Sequence, residues 1–436
     1  KKIIYYIKYI MRLHKAYLVG GSESKEEEPP LKDMSGRLAL DMAQENDIDT
    51  NINKITQSSF KLYILYTGGT IGMLHDDSKG LIPVKGNLKR LIDKINIDKR
   101  LNITYKIERT EPLIDSSDLR TDNWRLMLEK LYANYNNYDS FIVIHGTDTL
   151  AYTASALSFF LKDWNKTVIV TGSQIPLFEF RNDAFRNILD SVIVSLFKIL
   201  GVLIVFGGKI LRGNRSSKYS STDFVAYKSP VYGNIGNIGV HITLNETKML
   251  SNHVDSSSNI LVYHIANKPS DWNINWWNTN KIKIYNFTLL PDENSTPLKA
   301  LVDLNPNAII LQTYGIGNAP VSDKEFMSTL KYAISKNIVI VNKSQCFEGG
   351  VNMEYYNTGK ELSKIGILSC NDMTYEATFT KLFFLFQTLT NQDGSIDLKQ
   401  FKHLFENNLA GELSIDTYNK EFRTYLSSYF NDYQEL

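Results

Sequence analysis

The first buried element of the chain is predicted by an apolar run that follows a long polar stretch. Residues 20–60 carry Gly-Gly-Ser, three consecutive glutamates, two adjacent prolines and many Asn, Asp and Gln residues, without sustained apolar spacing. Such a segment buries too little apolar surface to offset the entropy lost on ordering. The run Leu62–Tyr66 then stops at Gly68 and Gly69, which predicts a buried strand and a sharp turn. We therefore expect residues 1–60 to be a largely disordered N-terminal extension.

Strands and helices are predicted to alternate from Lys61 to about Asn267. Short apolar runs end at glycines, and segments with apolar residues at helical spacing lie between them. This alternation is typical of a mostly parallel sheet with helices on both faces. The further predicted strands are Phe141–Ile144, Val168–Val170 and Val202–Phe206, and the predicted helices are Asn123–Tyr135, Asp148–Lys162 and Asp183–Leu200.

A second, smaller unit is predicted after residues 268–281, which lack apolar spacing and are typical of a linker. The alternation resumes at residue 282. The predicted elements are strands Ile282–Tyr285, Ala308–Leu311 and Ile338–Val341, the helix Asp323–Ser335 and terminal helices after Tyr375. The predicted fold class is α/β with two domains. Residues 61–267 form a larger N-terminal domain with a mostly parallel, doubly wound sheet, and residues 282–436 form a smaller C-terminal α/β domain.

Composition bounds the classes of function. The chain has 436 residues, of which 43% are hydrophobic and 22% charged, so it can build a sizeable core. Its 48 basic and 47 acidic residues leave a net charge of +1, which provides no single-sign field to attract nucleic acid or an anionic membrane. The opening segment, residues 1–17, holds no charge-free apolar run that could span a bilayer. We expect a small neutral or zwitterionic substrate, and no nucleic acid or membrane partner.

The number of cysteines and the ligands missing from one calcium-like stretch argue against a metal site. Cys346 and Cys370 are too few for a disulfide framework or a Cys-rich zinc site, and they favour a reducing, cytoplasmic compartment. The stretch 391–397 imitates part of a calcium loop, but Leu389 and Gln400 stand at two of its charged ligand positions. We therefore expect no bound metal.

Two loops place threonine where a ligand would bind in an open α/β sheet, beyond the carboxyl ends of the strands. Thr70 follows the glycines of Thr67–Gly72, and Thr147 stands beside Asp148 in His145–Thr149. Other interpretations stay open for each loop alone. Thr70 is equally a turn hydroxyl or helix cap, and Asp148 an N-cap. Nucleotide binding is the weaker interpretation, because the glycine spacing fits neither dinucleotide nor P-loop motifs.

Two further segments change this assessment. Asp115–Asp118 precedes Trp124, and Leu211–Lys218 follows the predicted strand Val202–Phe206. Together the four segments resemble the bacterial-type L-asparaginases, specifically their cytosolic (type I) branch. The resemblance runs from about residue 61 to about residue 415, and it is densest in residues 145–159 and 171–176.

This resemblance implies a catalytic set and a reaction. Thr70 would be the nucleophile that attacks the side-chain amide of L-asparagine and forms a β-aspartyl ester, with no cofactor. Thr147, Asp148 and Lys218 would form its catalytic companions, in which a threonine hydroxyl passes the proton to or from lysine. Asp148 would also bind the substrate ammonium.

The same resemblance implies the binding residues and the assembly. Ser116 and Ser117 would hold the α-carboxylate, Asp115 would shape the same wall, and the main chain of Ser173 would meet the substrate amide. Backbone N–H groups near Thr147 would stabilise the oxyanion. The family also implies a homotetramer, a dimer of dimers, with a small-molecule substrate.

The sequence departs from the family pattern at two places. Leu81 stands where bacterial members usually carry a tyrosine that activates the nucleophile. Tyr356 of the second domain, of the same chain or of a neighbouring subunit, is the candidate replacement, with Tyr355 next; both are equally interpreted as packing residues. The segment Gln312–Gly315 matches part of an allosteric asparagine site of bacterial members, but it lacks the arginine that usually stands there. Arg212 and Arg215 are interpreted as solvated loop charges.

Two alternative functions stay open. One is a related amidase that acts on glutamine or on a glutamyl-tRNA amidotransfer substrate, against which the balanced charge argues. The other is a catalytically inactive asparagine sensor, which the missing loop tyrosine would permit.

Overall fold

A computed structural model describes residues 60–76, 78, 80–83, 101–245, 248, 277, 281–292, 295–391 and 393–414. These residues all belong to one compact unit, Ile55–Leu436. The predicted extension before Phe60 and most of the predicted linker lie outside the described residues, so these boundaries stay a prediction. Among the helices that the structure describes, none is both long enough and apolar enough to cross a bilayer.

The N-terminal part is built on an eight-stranded sheet with the order β12-β11-β8-β7-β6-β5-β1-β4. Its strands and the two small hairpins beside it are β1 (Phe60–Gly68), β2 (Met73–Asp76), β3 (Gly80–Pro83), β4 (Ile103–Ile114), β5 (Ser140–Ile144), β6 (Thr167–Thr171), β7 (Gly201–Phe206), β8 (Lys209–Arg212), β9 (Ser217–Lys218), β10 (Tyr227–Lys228), β11 (Gly236–Ile238) and β12 (Ile242–Leu244). The helices are α1 (Thr121–Asn134), α2 (Leu150–Phe160) and α3 (Ala184–Ser195).

Five neighbouring strands of this sheet, β4, β1, β5, β6 and β7, run parallel. β8, β11 and β12 continue it antiparallel. The central strands are buried on both faces: Tyr63 and Leu65 enter one hydrophobic core, while Leu62 and Ile64 enter the other. Burial on both faces explains why these strands read as continuous apolar runs. The prediction of a mostly parallel, doubly wound sheet is confirmed.

The longest strand, β4, has no counterpart among the predicted elements. Among the described strands it pairs with β1 alone, at the edge of the sheet, and its exposed and half-buried positions carry residues such as Thr104, Lys106 and Glu108. An edge strand that is only partly buried has no continuous apolar run. A search for such runs therefore identifies the central strands and misses this one.

The C-terminal part is a four-stranded parallel sheet with the order β13-β14-β15-β16. Its strands are β13 (Ile284–Thr288), β14 (Ala308–Thr313), β15 (Val339–Ser344) and β16 (Leu368–Ser369). Its helices are α4 (Thr296–Asp303), α5 (Lys324–Ser335), α6 (Asn357–Lys364), α7 (Tyr375–Leu389) and α8 (Leu398–Glu406). The predicted smaller α/β domain is confirmed.

Helix α7 joins the two parts through aromatic side chains. Phe383 packs edge-on against Trp124 of α1, with ring centroids 5.6 Å apart. Phe384 stacks on Phe159 of α2 at 5.8 Å. Aromatic side chains bury large apolar areas, so this contact fixes the C-terminal part beside the helix that follows the second threonine loop.

The core beside α5 gives a test of packing alone. Leu330 is fully buried in the C-terminal core, so Leu330→Ala should lower the free energy of unfolding by about 2–5 kcal/mol. The exposed neighbour Lys331 provides the control, and Lys331→Ala should change stability by less than about 0.5 kcal/mol. Chemical denaturation measures both; equal effects would contradict the described packing.

Candidate active site

Four of the predicted loops lie together at one edge of the sheet. β4, β1, β5 and β6 are parallel neighbours, so their carboxyl ends meet there. The loops that follow these strands carry Asp115–Ser117, Thr70, Thr147–Asp148 and Ser173, respectively. Ligands bind at this edge in open α/β sheets. The topology thus brings segments that are far apart in the sequence to one place.

The loop after β1 is a tight turn that packs against the loop after β5. Gly69 has a φ of 90°, and a Cβ atom there would lie 2.4 Å from the Cα of Gly146. Only glycine permits both this backbone conformation and this approach. Thr70 is half-buried and begins the 3-10 turn Thr70–Gly72. Because Gly69 is the N-cap of this turn, the interpretation of Thr70 as a helix cap is wrong.

The loop after β5 holds Thr147 and Asp148 next to Lys218. Lys218 Nζ donates to Thr147 Oγ1 at 3.0 Å and to Asp148 Oδ1 at 2.8 Å. The N-cap of α2 is Thr149, so the N-cap interpretation of Asp148 is also wrong. The predicted helix 148–162 is shorter than predicted, because residues 145–149 stay in the loop.

The three polar side chains differ in exposure. Thr147 is buried, the Lys218 side chain is 19% exposed, and the Asp148 side chain is 65% exposed. Solvent screens an ion pair with such an exposed member, which contributes at most about 1 kcal/mol to stability. The pair therefore orients the lysine more than it stabilises the fold.

Ser116 contacts the same loop from the other side. A Cβ atom on Gly146 would lie 2.5 Å from Ser116 Oγ, and Thr149 Oγ1 donates to the Ser116 carbonyl at 2.8 Å. Asp115 Oδ1 accepts from the N–H and the hydroxyl of Ser117, each at 3.0 Å. Asp115 therefore shapes the turn, and the Ser117 proton is directed to it.

Ser173 lies in the loop after β6, which touches the β5 loop through its backbone. His145 N donates to the Thr171 carbonyl at 2.8 Å. Ser173 is buried, and its hydroxyl donates to the Ile175 carbonyl at 2.7 Å. That hydroxyl proton is therefore used within the loop, and the contact of the Ser173 main chain with a substrate amide stays a prediction.

His145 fixes the β5 loop, a role that the sequence did not reveal. Its Nδ1–H donates to the Gly146 carbonyl at 2.8 Å, and its Nε2 accepts from the Thr153 hydroxyl at 3.0 Å. Thr153 Oγ1 in turn accepts from the Trp124 indole. Burial lowers the pKa of His145 to about 4, so the ring is neutral at physiological pH. These bonds select the Nδ1–H tautomer.

Tyr227 contacts both Thr147 and Lys218, a second role that the sequence did not reveal. It pairs with Lys218 across β9 and β10, and its buried hydroxyl donates to the Thr147 carbonyl. Burial raises the pKa of Tyr227 well above its ordinary value, so it stays a donor. A single tyrosine between polar loop residues carries no local signal of this role.

Tyr356 and Leu81 stand apart from these contacts. Tyr356 is the N-cap of α6, half of its side chain is exposed, and its ring packs edge-on against Tyr355 at 4.9 Å. Within the described ranges, no hydrogen bond or ring contact joins Tyr356 to the Thr70 turn. Leu81 lies in β3, opposite His75 of β2. The activating role of Tyr356 stays a prediction.

The interpretation of Arg212 and Arg215 as solvated charges is wrong. Their exposures are only 7% and 1%. Arg215 forms an ion pair with Asp372 of the C-terminal part, with Nη2 2.5 Å from Oδ2. The partner lies more than a hundred residues away in the sequence, so the local polar context concealed the burial.

In the part of the chain that the structure describes, no group of three His, Cys, Asp or Glu side chains could hold a metal ion.

The buried histidine gives a pH test of the β5 loop. An unfolded histidine titrates near pH 6.5, so between about pH 6.5 and pH 4 the unfolded chain binds a proton that the native chain refuses. The neutral, buried His145 contributes fully to the free energy of unfolding above pH 6.5. About 3 kcal/mol of that free energy is lost as the pH falls through this window. Nitrogen-15 histidine NMR, assigned with His145→Gln, should show the neutral Nδ1–H tautomer at pH 5.5. An imidazolium at pH 6 would contradict the described network.

Comparisons with known proteins point to one family. A family model described as "Asparaginase, N-terminal" matches residues 61–250, and one described as "Glutaminase/Asparaginase C-terminal domain" matches residues 283–398. L-asparaginase 1 of Escherichia coli (strain K12) is 36% identical over 357 residues, which cover 81% of this chain and 98% of that protein. An L-asparaginase of Dirofilaria immitis is 30% identical over 81% of this chain and 60% of its own length.

A solved structure agrees with both sheets. The crystal structure of L-asparaginase I from Vibrio cholerae O1 biovar eltor has a TM-score of 0.69 and 33% sequence identity, and the match covers 82% of this chain and all of that chain. The family models cover both parts of the fold and most of the chain. From its two matched domains and its identity to these relatives, this chain belongs to the asparaginase family of amidohydrolases.

Proposed function

We propose that the chain is an L-asparaginase, which hydrolyses L-asparagine to L-aspartate and ammonia through a β-aspartyl ester on Thr70. The observation that carries the proposal is the position of Lys218 Nζ, 3.0 Å from Thr147 Oγ1 and 2.8 Å from Asp148 Oδ1. The turn of Thr70 packs on the same loop through Gly69. The residues proposed as nucleophile, proton carrier and acid thus lie on adjoining loops at one sheet edge, which supports the proposal.

The charges of the site suit a small zwitterion. Asp148 uses Oδ1 for Lys218, and its exposed carboxylate has a second oxygen for the substrate ammonium. Ser116 Oγ accepts from the Asp148 N–H at 3.4 Å, so its proton can be donated to the α-carboxylate. Ser117 directs both its N–H and its hydroxyl proton to Asp115, which favours Ser116 as the hydroxyl donor to that carboxylate.

The proposed chemistry has two acyl-transfer steps. Thr70 Oγ bonds to the carboxamide carbon and the C–N bond breaks. The Thr70 proton is transferred through the Thr147 hydroxyl to the departing nitrogen, which leaves as ammonia. Water then attacks the ester and regenerates the Thr70 hydroxyl. Because Lys218 donates to Thr147 Oγ1, the Thr147 proton is available to the departing nitrogen. Backbone N–H groups of the Thr147 loop are the proposed oxyanion donors.

Two site variants test the assigned roles. Thr70→Ala should lower kcat for ammonia release from L-asparagine by at least ~10³-fold, because the nucleophilic oxygen is removed. Lys218→Met should lower it by about 10²–10⁴-fold, the range of a lost proton carrier. Steady-state ammonia release on L-asparagine, L-glutamine and D-asparagine measures both effects and the substrate preference.

Matched controls use the same residue types on the exposed surface. Thr243 and Lys299 are exposed, so Thr243→Ala and Lys299→Met should retain kcat. Wild-type activity in Thr70→Ala would refute the nucleophile. Calorimetric binding of L-asparagine by the wild type without any ammonia release would instead support the inactive sensor.

Tyr356 is the proposed activator, supplied by a neighbouring subunit of a homotetramer in the cytoplasm. Its exposure and its separation from the Thr70 turn within one chain are consistent with an intermolecular role. We expect Tyr356→Phe to lower kcat by about 10²-fold, because a proton-transfer hydroxyl is lost, and Tyr355→Phe to retain it. Activity should also fall on dilution below the assembly concentration, as measured with light scattering. Unchanged kcat in Tyr356→Phe would exclude this activator, and a gain in Leu81→Tyr would show that the usual position can still act.

A further inference from the structure

The loop that carries Lys218 contacts both the proposed active site and the C-terminal part of the fold. This loop, residues 212–218, ends with Lys218 against Thr147 and Asp148. Four polar side chains before Lys218 bind instead to residues 372–414. We infer that the segment Asn408–Ser414, the C-terminal clamp, positions Lys218 for catalysis. The inference rests on the proposed function, and the clamp lies beyond residue 398, where the match to the C-terminal family model ends.

One carbonyl of the clamp receives the beginning of the loop. Arg212 Nη2 and Asn214 Nδ2 both donate to the Ala410 carbonyl, at 2.7 and 2.9 Å. Arg212 Nε also donates to Asn214 Oδ1 at 3.2 Å. These three bonds fix two buried side chains on a single backbone oxygen, so a shift of the clamp must shift the loop.

Arg215 supplies the second attachment, three positions before Lys218. Its guanidinium donates to both Asp372 oxygens, at 3.1 and 2.5 Å, to the Glu412 carbonyl and to Ser414 Oγ at 2.9 Å. Ser414 N closes the group by donating to Asp372 at 3.0 Å. A planar guanidinium that is satisfied on both edges admits one orientation.

The clamp is anchored to helix α7, which also holds the residue before Lys218. Glu412 is fully buried and pairs with Lys381 of α7 at 2.5 Å, and it accepts from the N–H of Ala410 at 2.7 Å. One turn and more before Lys381, Glu376 accepts from Ser217 Oγ at 2.6 Å. The same helix therefore fixes the clamp and the start of the two-residue strand β9.

Stability alone does not account for this arrangement. Burying ion pairs costs desolvation energy that well-packed apolar residues would avoid, so such pairs are weak evidence of stabilisation. They do define one geometry. A misplacement of about 1 Å at a catalytic group can cost about 10²-fold in rate. Buried charges so close to Lys218 would therefore serve to hold Lys218 in one position.

Gly411 allows the clamp to be displaced without touching the active site. A Cβ atom there would come within 1.8 Å of Arg212 Nη2, at a φ of 80°. Gly394 provides the matched control, since its φ is 83° and a Cβ atom would meet nothing within 4 Å. Gly411→Ala and Gly394→Ala thus share the backbone strain, and only the first collides with the loop.

We expect Gly411→Ala to lower kcat on L-asparagine by about 10- to 100-fold with KM changed less than about threefold. Gly394→Ala and the buried-core variant Leu330→Ala should keep wild-type kcat and KM in spite of their lower stability. Hydrogen exchange should rise in peptides covering residues 212–218 for Gly411→Ala only.

Several outcomes would overturn the inference. One is kcat within twofold of wild type in Gly411→Ala while exchange in the loop has risen. Another is an equal loss of kcat in Gly394→Ala or Leu330→Ala, and a third is unchanged exchange. If Gly411→Ala does not fold, Ser414→Ala removes the clamp hydroxyl that bonds Arg215 and Asp372 and should give the same kcat-specific loss. Ser335→Ala is the control, and retained kcat in Ser414→Ala would equally refute the inference. Absence of ammonia release by the wild type would refute the proposed function instead, while the exchange measurement still reports on the clamp.

Discussion

The site depends on the contact between two backbones, at Gly69 and Gly146. The two loops approach so closely that a single Cβ atom on Gly69 would lie 2.4 Å from the neighbouring Cα. Hydrogen bonds and charges around the site are arranged about this contact: Ser116 packs on Gly146 from one side, and His145 fixes the Gly146 carbonyl from within. The energetic demand is steric rather than electrostatic. A sheet whose parallel strands end together makes the approach possible, and glycine makes it permissible.

Much of this could be predicted because the decisive signals are local. Apolar runs that end at glycines identify central strands and the loops after them, and the same loops carry Thr70 and Thr147. β4 escaped notice because an edge strand needs no continuous apolar run. The predicted helix begins at Asp148, ahead of the observed start at Leu150, since helical spacing does not distinguish a site loop from a first turn.

The burial of Arg212 and Arg215 could not be predicted from the sequence alone. Solvated and buried arginines look the same in a sequence, and only the partner distinguishes them. Arg215 finds Asp372, Glu412 and Ser414 across the two parts of the fold. Tyr227 is similar, for its role depends on a carbonyl 80 positions away. Such partners are set by topology, which brings distant segments together after the local patterns have fixed the strands.

The unequal exposure of Asp148 and Lys218 also gives the site a direction. The carboxylate lies toward solvent and the ammonium toward the interior, so an arriving amino acid meets negative charge before it meets positive charge. In the proposed reaction its amino end would be attracted first, over a range of about 8 Å at physiological ionic strength, and its carboxylate would be turned away from that rim. The order of the two charges would thus sort the orientation of a small amphoteric molecule on entry, ahead of any contact with the reacting oxygen.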